Sequence, residues 1–320
     1  MKFKCLLISL LLVVLTVIAG CGGNTEKSPE QKSAAENPVV TGNQAVEPDS
    51  AKDNLLVDVS WLKNNINNVI VLDARTDKEY AAGHISGAIN TMWQGFANMT
   101  GNPGDKGWGT LLPKDKLAEK IGALGINGDK MIVVYADPNG WGEDGRIVWM
   151  LRMAGVANSK MLDGGLPAWK AENGETSKDM PKVNPVEFKI SSLDQNMNSS
   201  TDWITSNQNN IKIVDSRAEK EYQGATDFGE KRGGHLPNAI NIPFKEVFND
   251  DGKVKSTEEL KVLFTKAGLK PEDEIAAYCT KGIRSAHMTL LLRIAGFEKA
   301  RNYDASFYEW AGNDTLPLAK

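Results

Sequence analysis

One feature constrains this chain more than any other: it contains the same unit written twice. Trp61 recurs as Trp203, and Val71-Leu72-Asp73-Ala74-Arg75 recurs as Ile213-Val214-Asp215-Ser216-Arg217, both at an offset of 142 residues. Glu79-Tyr80 returns as Glu221-Tyr222, after which nine extra residues enter the second copy. Gly83-His84-Ile85 and Ala88-Ile89-Asn90 return as Gly234-His235-Leu236 and Ala239-Ile240-Asn241, now at an offset of 151. Leu151-Arg152-Met153-Ala154-Gly155 answers Leu292-Arg293-Ile294-Ala295-Gly296, and Asp163 and Trp169 answer Asp304 and Trp310. Order kept over so long a stretch means a duplicated structural unit, and 320 residues give each copy the length of an ordinary domain.

Each copy has the same coarse layout. Short apolar strands are expected at 69–72 and 211–214, and buried ones at 131–135 and 274–278. Helices are expected at 113–124 and 257–267, and apolar helices at 146–154 and 285–295. Strands alternating with helices imply an α/β fold: two domains, each a parallel sheet flanked by helices on both faces. The expected boundaries are 53–173 for the first domain, 199–318 for the second, and 174–198 for a linker with two prolines.

The start of the chain stands apart. Lys2 and Lys4 precede an uncharged apolar stretch at 6–19, too short for a comfortable membrane span of about 20 residues. It ends Ile18-Ala19-Gly20-Cys21, and the segment resembles a bacterial lipoprotein signal covering residues 1–20. That resemblance implies an acylated Cys21 as the first mature residue. It also implies attachment to a membrane of the cell envelope, on the extracytoplasmic side. Residues 21–52, rich in Asn, Gln, Lys and Pro, read as a flexible tether.

Composition excludes several classes. A net charge of −4 provides no electrostatic footprint for nucleic acid. Three cysteines cannot build a disulfide framework, and three scattered histidines argue against a histidine-built metal site, so no metal is expected.

Chemistry concentrates in the second copy. Cys279 follows the buried strand and opens the run Cys279-Thr280-Lys281-Gly282-Ile283-Arg284, with a helix beginning beyond it. Parallel α/β sheets bind ligands at that carboxyl edge. A turn entering a helix N-terminus aims backbone N–H groups and the helix dipole at the loop centre, and Lys281 and Arg284 add positive charge. A thiol placed there is expected to ionise easily. The first copy has Ala136 at the corresponding position, so the fold does not require the thiol.

These motifs, with the closing Tyr303-Asp304-Ala305-Ser306-Phe307-Tyr308-Glu309-Trp310, resemble the tandem-domain rhodaneses, the thiosulfate sulfurtransferases, over residues 53–318. The resemblance implies an inactive first domain and a catalytic second one. Cys279 would attack thiosulfate, release sulfite and carry a persulfide to a thiophilic acceptor, either cyanide or a thiol. Arg217 would then face the substrate anion, with Thr280, Lys281, Gly282, Ile283 and Arg284 forming the binding loop. The family's 3-mercaptopyruvate enzymes have small uncharged residues in the middle of this loop, so Lys281 favours thiosulfate. Arg284 stands where long tandem members often carry Thr, which leaves 3-mercaptopyruvate open as the donor. A tethered persulfide carrier or sensor is the non-enzymatic alternative. No cofactor is implied, and a monomer is expected.

Other residues have plainer readings. Arg217 could simply pair with Asp215 or Glu221, and Arg75 occupies the same place in the copy without a thiol. His84 and His235 occupy equivalent turns and read as structural, His287 reads as a helix-packing residue with tuning of the thiolate as the alternative, and Lys231 and Arg232 read as solvated charges with lining of the donor entrance as the alternative. Gly140-Trp141-Gly142-Glu143-Asp144-Gly145 matches a dinucleotide-binding pattern, but Glu143 and Asp144 would oppose a pyrophosphate. Four residues separate Cys279 from Arg284, one fewer than in the tyrosine phosphatase loop.

Overall fold

A computed structural model describes residues 54–320. The expected signal segment, Cys21 and the tether lie outside the described residues. No helix among the described residues is long and apolar enough to cross a membrane.

The first copy contains β1 (Leu56–Val57), α1 (Val59–Asn65), β2 (Val69–Asp73), α2 (Asp77–Ala82), β3 (His84–Ile85), β4 (Ile89–Asn90), α3 (Lys114–Ala123), β5 (Met131–Tyr135), α4 (Glu143–Met153), β6 (Ser159–Leu162), α5 (Gly165–Ala171) and β7 (Thr176–Ser177). The second contains β8 (Asn198–Ser199), α6 (Thr201–Asn207), β9 (Lys212–Asp215), α7 (Glu219–Tyr222), β10 (Ala239–Asn241), α8 (Thr257–Lys266), β11 (Ile275–Tyr278), α9 (Ile283–Ile294), β12 (Ala300–Tyr303) and α10 (Ser306–Gly312). Their main sheets run β1-β6-β5-β2-β4 and β8-β12-β11-β9-β10, with every pairing parallel. The duplication read from sequence is therefore a duplication of topology, and the α/β architecture of two helix-flanked parallel sheets stands.

Two local devices repeat with it. The Tyr135 hydroxyl donates to Asp73 and accepts from the Ile85 N–H, and the Tyr278 hydroxyl does the same with Asp215 and Leu236. These bonds tie each central strand to the turn that follows the second helix. In that turn His84 stacks on Tyr80 at 3.7 Å and His235 on Tyr222 at 3.6 Å, a packing role common to both copies.

The apolar helices start earlier than the hydrophobic pattern suggests, at Glu143 and Ile283. Gly142 and Gly282 hold left-handed backbone at the two N-caps, so the loop turns into the helix within one residue. The segment between the domains is partly structured. Ser177 and Thr176 pair antiparallel with β3, Val186 donates to the Gly122 carbonyl, and Asn198–Ser199 forms the edge of the second sheet.

The two halves fall within one compact unit and share a hydrophobic core. Helices α4 and α9 pack against each other across the boundary, burying Trp149, Met150, Met288 and Leu291. Each such side chain contributes about 1.5–3 kcal/mol of burial free energy. The seam between copies is thus part of one continuous core, and it brings Gly142 and Gly145 at the start of α4 beside His287 of α9.

Candidate active site

Cys279 is the first residue after β11, at the carboxyl edge of the central strand of the second sheet. The start of α10 fixes its backbone from both sides. Its N–H donates to Ser306 Oγ at 3.1 Å, and its carbonyl accepts from the Phe307 N–H at 3.0 Å. Ser306 adopts a φ of +56°, where the equivalent Gly165 of the first copy has the same value. Left-handed backbone disfavours Ser, so this side chain is retained against a local cost, and its hydroxyl is the cap on the cysteine N–H.

The loop then wraps around sulfur. The Gly282 N–H donates to Cys279 Sγ at 3.2 Å. Gly282 has a φ of +79°, and a Cβ there would lie 2.4 Å from the Asp304 carbonyl oxygen, so only glycine closes the turn. Burial pushes the thiol up. The Arg284 charge, the N–H and hydroxyl of Ser285 and the Lys281 N–H outweigh it and hold the thiol below its ordinary value of 9.0. The arrangement supplies a nucleophilic sulfur already surrounded by donors that would stabilise negative charge.

A pocket of about 80 Å³ opens over this sulfur, lined by Cys279, Thr280, Lys281, Ile283, Arg284, Trp141 and Phe228. Its two positive side chains differ in availability. Arg284 donates to Glu221 through Nη1 and Nη2, at 2.8 Å each, and to Thr280 Oγ1 at 2.8 Å. The Lys281 ammonium has only the Tyr308 ring beside it, at 5.9 Å, and forms no ion pair among the described residues. The Tyr308 hydroxyl donates to the Phe228 carbonyl, and its pKa is pushed up to about 12 by burial and the charges of Glu230 and Cys279. The phenol therefore stays neutral beside Cys279.

The expected position of Arg217 is corrected. It is wholly buried, does not line the Cys279 pocket, and donates to both Asp215 oxygens and to the Gly234 carbonyl. Arg75 makes the same bonds to Asp73 and the Gly83 carbonyl. The reason lies in the strand end: an Asp two residues earlier captures the guanidinium before it can reach the loop. Thr280, Lys281, Gly282, Ile283 and Arg284 are all brought together around the sulfur.

Several contacts escaped the sequence reading. Glu221 was visible only as a repeated Glu, although it neutralises Arg284 and accepts from the Thr280 hydroxyl at 3.0 Å. Trp141 enters from the first domain, inside the glycine-rich segment set aside as a nucleotide-binding pattern. Arg146, also of the first domain, donates to the Gly282 carbonyl at 3.1 Å and pairs with Asp304 at 2.5 Å. His287 packs between Phe244 and Phe248 and meets Asp144 across the domain boundary at 3.1 Å. Arg232 is no solvated charge: it donates to the Trp310, Ala311, Asn313 and Leu316 carbonyls and holds the chain end in place.

The corresponding cavity of the first domain, about 90 Å³, is lined by Ala74, Arg75, Glu79, Asp137 and Glu143 among others. Where the second copy sets Glu221 against Arg284, this one sets Glu79 near Glu143. Burial, with Asp144 and Glu79 close by, raises the Glu143 carboxyl above its usual range. An anion would meet carboxylates there and no sulfur.

A family model described as a rhodanese-like domain matches residues 58–172 and again 200–313. A relative from Corynebacterium glutamicum named thiosulfate sulfurtransferase is 28% identical over 278 residues, covering 82% of this chain and 89% of its own. A Thermus thermophilus relative named sulfur carrier protein TtuD is 28% identical over 286 residues, covering 84% of this chain and 98% of its own. Among solved structures, wild-type EanB aligns with a TM-score of 0.76 at 20% identity, over 84% of this chain and 70% of that one. That last likeness concerns the fold alone.

Proposed function

The chain belongs to the rhodanese-like domain family, and from that premise we propose that it is a sulfurtransferase carrying a sulfane sulfur from thiosulfate to a thiophilic acceptor as a Cys279 persulfide. The observation that carries this reading is the Gly282 N–H at 3.2 Å from Cys279 Sγ, within a loop that also lowers the thiol pKa. In the first half-reaction the Cys279 thiolate attacks the outer sulfur of thiosulfate. A sulfur–sulfur bond forms to Cys279, the sulfur–sulfur bond of the donor breaks, and sulfite leaves with the electron pair. In the second, the acceptor attacks the outer persulfide sulfur and Cys279 leaves as thiolate. The N–H groups at the start of α9 stabilise whichever sulfur bears the charge.

Lys281 supports thiosulfate over 3-mercaptopyruvate, because an unpaired ammonium in a small pocket suits a compact dianion. The relative named thiosulfate sulfurtransferase points the same way. Its counterpart named sulfur carrier protein favours a second reading, in which Cys279 holds sulfur for a partner and turns over slowly. We further propose that acylation of Cys21 tethers the folded domains to a membrane of the cell envelope.

Intact mass spectrometry after exposure to thiosulfate tests the central step. One added sulfur atom on Cys279 is expected, and it should be lost on adding cyanide. An unchanged mass with every sulfane donor would sink the proposal. Multiple-turnover release of thiocyanate distinguishes an enzyme from a carrier, which would give a single equivalent.

A further inference from the structure

Beyond the pocket over Cys279 lies a second chamber, of about 360 Å³, whose walls include Trp141, Ala218, Phe228, Pro243, Phe244 and Arg284. It shares Trp141, Phe228 and Arg284 with the first. Those two aromatic rings meet edge to face at 5.4 Å, and the Arg284 guanidinium lies 5.0 Å from Trp141 and 6.0 Å from Phe228. The pair therefore forms a partition between a small chamber containing the sulfur and one more than four times larger.

The walls of the larger chamber are chemically distinct. Its charged groups are already engaged: Glu221 with Arg284, Lys220 with Asp227, Glu219 with Gln223, and the Lys245 ammonium with the Pro138 carbonyl. What remains for a guest is the apolar surface of Trp141, Phe228, Pro243, Phe244 and Ala218. Trp141 and Phe228 are 46% and 36% exposed, a large apolar area for the surface of a folded chain. Ser216, fully buried in the same wall, has a hydroxyl with no hydrogen-bond partner among the described residues.

We propose that this chamber binds the sulfur acceptor, and that the acceptor is a low-molecular-weight organic thiol with an apolar body. The proposal rests on the sulfurtransferase reading above. The inorganic donor needs only the small pocket. The organic thiol lays its body against the aromatic pair and extends its sulfur past the edge of the partition, on the side where both chambers meet Arg284. Its thiolate attacks the outer sulfur of the Cys279 persulfide, a new sulfur–sulfur bond forms on the acceptor, and the Cys279 thiolate departs with the electrons of the broken bond. The products are the organic persulfide and the Cys279 thiolate; one sulfur–sulfur bond forms as one breaks, so no oxidant or reductant is consumed. In this arrangement the first domain, which has no thiol in its loop, contributes Trp141 as a determinant of acceptor specificity.

The test compares kcat/KM for benzyl mercaptan, 2-mercaptoethanol and cyanide in the full chain with thiosulfate as donor. Ala218→Phe fills the chamber from a partly exposed position, and Trp141→Ala removes half of the partition. In both variants kcat/KM for benzyl mercaptan should fall at least tenfold more than that for cyanide, with 2-mercaptoethanol between them. Parallel losses for all three acceptors, or no loss for benzyl mercaptan, would overturn the chamber assignment while sulfur loading on Cys279 continued. Failure of Cys279 to gain sulfur at all would overturn the underlying reading and this one together.

Discussion

Glu221 grips Arg284 through two parallel hydrogen bonds, from Nη2 to Oε1 and from Nη1 to Oε2, each 2.8 Å long and both ends buried. Burial pushes the Glu221 carboxyl up, but the Arg284 hydrogen bonds and charge, the Ala218 N–H and the Thr280 hydroxyl hold it below its ordinary 4.5. Because the folded value is depressed, the stabilisation is complete above the unfolded value and is lost as pH falls through the folded one. Glu221→Ala should therefore cost about 3–5 kcal/mol at neutral pH, since it leaves a buried guanidinium unpaired. It should also flatten the acid limb of the stability profile below about pH 4.5. Urea denaturation between pH 3 and 7 checks both, and an unchanged acid limb would place the pair outside the stability of the fold.

The depressed Cys279 thiol predicts the pH dependence of reactivity. Alkylation by iodoacetamide should reach half its plateau below pH 9.0, and the rate should drop as pH falls through that point. The neutral double variant Glu221→Gln with Arg284→Met removes the Arg284 charge without orphaning its partner, and should move the midpoint upward. A midpoint unmoved in that variant would mean that the loop N–H groups alone set the thiol.

Cys279→Ser should abolish sulfur transfer with stability preserved to within about 1 kcal/mol, because the swap nearly conserves volume. Thiocyanate release and a urea midpoint measure the two halves of this statement. Residual turnover at even a tenth of the original rate would point to another nucleophile.

Lys281→Ala should weaken thiosulfate use by about 1.5–3 kcal/mol in kcat/KM, the worth of a hydrogen bond to a charged group. The loss for 3-mercaptopyruvate should be smaller, because its single carboxylate demands less positive charge. Equal losses would remove the argument for an inorganic dianion.

Arg146 is the tie between the halves. It is fully buried, donates to the Gly109 and Gly282 carbonyls and pairs with Asp304, whose other oxygen accepts from the Leu111 N–H at 2.7 Å. Arg146→Met should destabilise the chain by about 3–5 kcal/mol, leaving Asp304 unpaired. It should also lower kcat by freeing the Gly282 peptide. A stable variant with full kcat would show that the loop closes without it.

The fold was legible because duplication doubles every weak signal. The Asp-x-Arg strand ends, the Gly-His turns and the paired Asp and Trp residues each recur in register, and a chance match would not. The cysteine loop was legible for the opposite reason: Cys279 and Lys281 break the repeat, while the capping glycine that follows them, Gly142 in one copy and Gly282 in the other, is kept. Arg217 misled because composition at a strand end does not reveal which neighbour a guanidinium meets, and Asp215 is simply nearer. Trp141 and Arg146 lie more than 130 residues from the loop they contact, and nothing in their local sequence marks the partner. Such contacts depend on how α4 and α9 cross, which is a property of the packed pair.

The seat of the Arg146 guanidinium on the Gly282 carbonyl has a practical corollary. Cutting the gene between its halves would leave the cysteine-bearing fragment with an empty socket beneath its reactive turn and a bare apolar flank on α9. Such a fragment would report the chemistry of a damaged loop. The half without a nucleophile is better regarded as the tooling that keeps the other half in shape, and the smallest working catalyst is the pair.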